Sequence, residues 1–273
     1  MSDLIKVQFV VNGQSVITSV PPNQKLMDFL RDNLGLVSVK NGCSTGHCGT
    51  CTVIINGKAE RSCLVLMKRV NGSVVETIEN LTPADGLHPL QYSFITENAV
   101  QCGFCTPGML LASKALLNQN LHPNEEEIRQ GLKNNLCRCT GYTSIIKAVQ
   151  KAGNLLAQGT EIIPLEALQL PESQNGPMGM ENPDKHAIDG VTGRIKYADD
   201  LKPDKLIFGK IKYADFPSAK ILSINTEAAY QIPGVRLVLT GDDVAGTNLV
   251  GILRRDQPRS EERRVGKECR SRW

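Results

Sequence analysis

Eight of the nine cysteines in this 273-residue chain fall into two groups of four, and no other feature constrains it as strongly. One group lies between residues 101 and 139. It opens on Q-C-G-F-C-T-P-G with Cys102 and Cys105, and closes on C-R-C-T-G-Y with Cys137 and Cys139. Between the pairs stand 31 residues. A C-x-C pair is tighter than structural zinc sites favour. Four thiolates supplied as two pairs suit a [2Fe–2S] cluster, in which each iron takes two protein sulfurs. Gly103, Gly108 and Gly141 let backbone amides come close to such a centre, and those contacts tune its potential.

The second group lies upstream. Cys43, Cys48 and Cys51 stand as C-x4-C-x2-C in the loop N-G-C-S-T-G-H-C-G-T-C, and Cys63 follows after 11 residues. The first three match the plant-type iron–sulfur spacing. Two other readings compete. Disulfides are disfavoured because the chain opens on Met1-Ser2-Asp3 with no signal peptide, so a reducing, cytoplasmic compartment is expected. Zinc is disfavoured by the template spacing of one group and the C-x-C of the other. His47, inside the first loop, reads as a solvent-side residue, since four thiols are already at hand.

The patterning around these groups changes character along the chain. Residues 5–11 and 15–20 read as strands joined by Asn12-Gly13, a two-residue hairpin turn. Leu26, Phe29, Leu30 and Leu34 fall at helical spacing, with Gly35 as the stop. Residues 52–55 and 58–63 read as a second hairpin across Asn56-Gly57, and 74–78 as a further strand. From residue 81 the pattern turns helical: residues 88–98, then 109–117 behind Thr106 as N-cap and Pro107. A capping box at Asn124 and Glu127 starts another helix, and residues 142–156 form a fourth. Four helices are thus expected to hold the second group between their ends, where helix-end amides favour negative charge.

Residues 159–183 carry four prolines among Gly, Ser, Asn and Gln, a linker signature. Beyond it, strands are expected at 206–213 and 235–240, a short one at 219–224, and a helical stretch near 226–230. The formal charge of +3 belongs to the last 15 residues, which hold six basic and three acidic side chains; residues 1–258 are formally neutral. Nucleic-acid binding is therefore not supported. No apolar run is long enough to span a membrane.

With these motifs in place, residues 1–158 resemble the iron–sulfur subunit or domain of the molybdenum hydroxylases, the xanthine dehydrogenase and aldehyde oxidoreductase family. The resemblance rests on G-C-S-T-G-H-C-G-T-C, Q-C-G-F-C-T-P-G and C-R-C-T-G-Y. It implies an α+β chain with a β-grasp ferredoxin-like [2Fe–2S] domain over 1–80 and a four-helix [2Fe–2S] domain over 81–158. A linker over 159–184 follows. Residues 185–258, with I-D-G-V-T-G and Y-A-D-D, resemble the start of the molybdopterin-binding part, cut short. By position, Gln101 and Cys139 match family residues that contact the pterin. The resemblance further implies molybdopterin in its cytosine dinucleotide form and electrons passed through two clusters to an acceptor protein or separate flavin subunit. A small-molecule substrate is expected in the full-length protein, and a homodimer is compatible. The alternative is a stand-alone two-cluster ferredoxin-like carrier. Residues 259–273 resemble a translated sequencing adapter and are expected to lie outside the fold, which would make the chain an N-terminal fragment.

Overall fold

A computed structural model describes residues 4–168, 184–213, 215–216, 222–247, 249–250 and 257–258. The chain divides into two units, Met1–Asp204 and Lys205–Trp273.

The first unit begins with β1 (Ile5–Val11) and β2 (Gln14–Val20), paired antiparallel across Asn12-Gly13. Both turn residues have positive φ, as a two-residue hairpin of this type requires. The hairpin β3 (Thr52–Ile55) and β4 (Lys58–Arg61) repeats the device at Asn56-Gly57. With β5 (Val74–Glu76) they make a five-stranded mixed sheet in the order β2-β1-β5-β3-β4, in which only β1 and β5 run parallel. The expected helix after β2 is shorter than its spacing suggested. It is one turn, α1 (Leu26–Asp28), followed by a wider turn over Phe29–Asn33 that closes Leu34 N–H on the Phe29 carbonyl. Leu26, Met27, Phe29 and Leu30 still face inward against Val7, Phe9 and Val11.

Four helices follow: α2 (Pro89–Thr96), α3 (Thr106–Leu117), α4 (Glu125–Leu132) and α5 (Thr143–Ala157). The capping box at Asn124 and Glu127 forms as the sequence indicates. Thr106 is the first helical residue rather than the cap, which is Cys105. The helical core and the strand core meet in β3. Val53 packs with the strand core, while its neighbour Ile54 joins Phe94, Met109 and Leu110. Successive strand residues face opposite sides of a sheet, so one short strand serves both halves.

The start of the expected linker is pinned: Leu87 and Ile163 exchange backbone hydrogen bonds of 2.8 and 2.9 Å. Past the undescribed stretch, α6 (Ala187–Val191) and a turn at Ala198–Asp200 complete the first unit. In the second unit, α7 (Glu227–Tyr230) matches the expected helical stretch. The strands expected at 206–213 and 235–240 are not formed. A strand needs a paired neighbour to satisfy its backbone, and none flanks these segments among the described residues. Their apolar side chains stand open, Phe208 at 90% and Leu239 at 71% exposure. The short strand expected at 219–224 lies partly outside the described residues, and its described part is irregular. The two-residue strands β6 (Leu249–Val250) and β7 (Gln257–Pro258) pair antiparallel. Residues 259–273 lie outside the described residues.

Candidate iron–sulfur centres

The β3–β4 hairpin builds half of the first centre. Cys51 directly precedes β3, and Cys63 follows β4 in a tight turn. The hairpin register sets Thr52 against Arg61, so the two thiols are carried to the same end. Ser62 fixes that end by donating from both N–H and hydroxyl to the Cys51 carbonyl, at 3.2 and 2.7 Å. Both thiols are buried, and burial pushes Cys51 up to about 12. Cys43 and Cys48 form the other pair, on the glycine-rich loop. Cys43 Sγ accepts from the N–H groups of Thr45 and Cys48 at 3.5 and 3.4 Å. The Thr45 side chain, with these amides, draws the Cys43 thiol down to about 5 against the opposing effect of burial. His47 is exposed and touches the Thr45 hydroxyl at 3.0 Å.

The second centre sits where the ends of α3, α4 and α5 converge. Its close thiol contacts run across the sequence pairs rather than within them. Cys102 Sγ and Cys139 Sγ are 3.5 Å apart, and Cys105 is matched with Cys137. Burial raises the Cys105 thiol. Burial also works to raise Cys137, but hydrogen bonds from the Thr140 hydroxyl and N–H outweigh it and hold this thiol below its usual value. Cys102, Cys139 and the neighbouring Gln101 are exposed.

The fit to two-iron clusters rests on this donor set. Among the described residues, no three Cys, His, Asp or Glu side chains gather around a single metal-ion position. The eight thiols instead approach in twos, each centre offering two pairs. A binuclear cluster takes its ligands that way, and iron deprotonates a thiol it binds whatever the thiol's free pKa.

The two centres are joined through the backbone. Leu136 N–H, next to Cys137, donates to the carbonyl of Cys48 at 2.8 Å. Asn135 donates from its side chain to the Gly49 carbonyl and the Thr52 hydroxyl, at 3.0 and 3.1 Å. Gly49 is indispensable at this joint. It has φ +68°, and a Cβ there would meet the Asn134 carbonyl at 2.0 Å.

Several residues at these centres have roles that the sequence pattern does not assign. Tyr142 adopts φ +70°, which costs a bulky residue about 1–2 kcal/mol. Its hydroxyl accepts from Cys137 N–H at 2.8 Å and donates to the Asn135 carbonyl at 3.2 Å. Its place in C-R-C-T-G-Y was the only hint. Lys40, Arg31 and Tyr197 likewise emerge only in three dimensions. Arg31 and Lys40 both bind Asp200, at 2.8 and 2.6 Å, and Asp200 and Lys40 are almost wholly buried. Burial would raise the Asp200 carboxyl, but hydrogen bonds from Lys40, the Tyr197 N–H and Arg31 hold it below the usual range. A cavity of about 300 Å³ bordered by His88, Lys114, Leu121 and Glu161 includes none of the thiols in its lining.

Comparison with known proteins agrees with this layout. Residues 9–73 match a 2Fe-2S iron-sulfur cluster binding domain and residues 77–150 a [2Fe-2S] binding domain. Residues 192–265 match the a/b hammerhead domain of aldehyde oxidase and xanthine dehydrogenase. The nicotinate dehydrogenase small FeS subunit of Eubacterium barkeri is 45% identical over 148 residues, 54% of this chain and 94% of that protein. The chain belongs to the molybdenum hydroxylase family. Within that family, the aldehyde oxidoreductase of Megalodesulfovibrio gigas is 36% identical over 254 residues, 90% of this chain. The solved aldehyde oxidoreductase from Desulfovibrio desulfuricans superposes with a TM-score of 0.79 at 38% identity over 90% of this chain. The chain spans only 28% of the length of either aldehyde oxidoreductase.

Proposed function

We propose that this chain is the electron-transferring part of a molybdenum-dependent hydroxylase acting on an aldehyde, purine or other N-heterocycle. In this reading Cys43, Cys48, Cys51 and Cys63 hold one [2Fe–2S] cluster, and Cys102, Cys105, Cys137 and Cys139 the other. When bound, each cluster takes and gives one electron at a time. The carrying observation is that eight thiols meet in four pairs, two per centre, with the centres bridged by the Leu136 N–H to Cys48 carbonyl hydrogen bond.

The chain's own residues perform four tasks here. The amides of Thr45, Cys48 and Thr140 direct partial positive charge at sulfur, which favours the reduced state. Burial of Cys51, Cys63 and Cys137 excludes water from one side of each centre. The Leu136–Cys48 hydrogen bond gives a short bonded route between them. Gln101 and Cys139, both exposed, form the face toward a molybdopterin, in its cytosine dinucleotide form, carried by the rest of the protein.

The proposed layout has a ferredoxin-like domain to about residue 80, a helical domain to about 158, a linker to about 184, and the opening of the molybdopterin-binding part thereafter. Electrons leave the reduced clusters to an acceptor protein or a separate flavin subunit, and a homodimer is compatible with this arrangement. A reducing cytoplasm, which keeps cysteines available as cluster ligands, is the proposed compartment. Among the described residues, no helix is long and apolar enough to cross a membrane.

Iron analysis with EPR of the dithionite-reduced, anaerobically purified chain tests the proposal. About four iron per chain and two distinct signals are expected, from two irons per cluster. A colourless protein, or one signal with half that iron, would overturn it.

A further inference from the structure

The residues after the linker do more than begin a new domain. Residues 184–204 belong to the same compact unit as the two thiol centres. Their path is set by close backbone approaches. A Cβ on Gly193 would meet Ser38 Cβ at 2.7 Å, and one on Gly190 would meet Val100 at 2.9 Å. Gly103, between Cys102 and Cys105, has φ +78°, and a Cβ there would meet Ile195 Cδ1 at 2.8 Å and the Tyr197 hydroxyl at 3.0 Å. The thiol loop is shaped to receive this segment.

What arrives is Tyr197. Its hydroxyl donates to the backbone carbonyl of Cys102 at 2.6 Å. Its ring meets Phe104 edge-on at 4.9 Å, and the Lys40 ammonium lies 4.8 Å from its centroid. Its N–H donates to Asp200, which in turn is held by Arg31 and Lys40 from the strand-rich domain. Lys40 also donates to the Ile195 carbonyl at 2.8 Å. One buried ion cluster therefore fixes the tyrosine from both sides.

We propose that Tyr197 is a positioning residue of the helical-domain iron–sulfur centre, clamped by the Arg31–Asp200–Lys40 cluster so that its hydroxyl sets the reduction potential of that centre through Cys102. This rests on the cluster assignment above. The hydroxyl draws electron density from the Cys102 peptide through its hydrogen bond to the carbonyl. That favours the reduced cluster, because hydrogen bonding around the ligands is one of the protein's means of tuning it.

The test is an EPR-monitored redox titration of the full chain as wild type, Tyr197→Phe, Asp200→Asn and Tyr92→Phe, the last a tyrosine against Lys151 rather than the thiols. In Tyr197→Phe, both clusters should remain, with the helical-domain midpoint moved to a more negative potential and the other unchanged. Asp200→Asn should move the same midpoint and leave the other in place, and Tyr92→Phe should move neither. Selective loss of the helical-domain signal in Tyr197→Phe would overturn the tuning role, since it would show that the tyrosine assembles the centre rather than setting its potential. Unchanged midpoints, equal shifts in both, or loss of both clusters would overturn it. If wild type lacks two signals, it is the cluster reading that fails rather than the role of Tyr197.

Discussion

The two thiol centres are built on opposite principles. The first is local: Cys43 to Cys63 lie on one loop and one hairpin, and the Asn56-Gly57 turn sets the register that carries Cys51 to Cys63. The second is assembled. Cys102 and Cys105 are separated from Cys137 and Cys139 by two helices, and the site draws on Tyr142, Asn135 and a tyrosine from beyond the linker. A local centre is specified by spacing and turn chemistry. An assembled one depends on packing between distant elements, so it should answer to more mutations and to milder conditions.

The sharpest way to break this comparison is to remove one ligand from the local centre. Cys48→Ala should abolish the strand-domain cluster, halve the iron and leave the helical-domain EPR signal. The Leu136 hydrogen bond to the residue 48 carbonyl survives, because it uses the backbone. Cys137→Ala with Cys139→Ala should do the reverse. Loss of both signals from Cys48→Ala in folded protein would show that β3, whose Val53 and Ile54 serve different cores, transmits the damage.

Acid should also separate the halves. His88 caps α2 by accepting from Leu90 N–H, and burial with the nearby Lys114 charge lowers it from 6.5 to about 4. Lys114 is itself paired to Glu76, and Glu161 borders the same cavity. Because the folded pKa is depressed, the unfolded chain takes up a proton first as pH falls. Stability is thus full above about pH 6.5 and declines toward pH 4, by roughly 3 kcal/mol at about 1.4 kcal/mol per unit. Thermal melts followed by circular dichroism between pH 4 and 7 should show this slope. His88→Asn, which keeps a capping acceptor but does not titrate, should flatten it. An unchanged slope would remove His88 from the account.

The same contrast explains what was legible in the sequence. Turns with Asn-Gly, the Asn124–Glu127 capping box, the strand alternation and the cysteine spacing are local, and they appear where expected. The helix expected from Leu26 to Leu34 instead widens at Phe29–Asn33. That turn carries Arg31, whose guanidinium bonds the Val39 carbonyl and Asp200, and such widened turns recur where a helix serves a site. The strands expected at 206–213 and 235–240 had the right composition, but composition supplies no pairing partner. The pairing of Cys102 with Cys139 could not be read from C-x-C, because the spacing within one pair does not say which thiol of a distant pair packs against it.

The smallest effect probes the joint itself. Asn135 is buried, and its amide spans from the helical centre to Gly49 and Thr52 in the local one. Replacing it with Ala removes two hydrogen bonds but strands little. The Gly49 carbonyl keeps the N–H of Thr52 at 3.0 Å and its hydroxyl at 2.7 Å, while the Asn135 backbone carbonyl still accepts from Tyr142. Since the cost of a lost hydrogen bond lies mainly in the partner left unpaired, Asn135→Ala should lose only about 1–2 kcal/mol. Asn135→Asp should be worse despite its closer shape, because a carboxylate oxygen would then face the Gly49 carbonyl with no proton to share. Denaturant melts of the three proteins at neutral pH give the ranking. Ala more damaging than Asp would mean that the side chain fills space rather than joining the centres, and that the local centre stands without the assembled one.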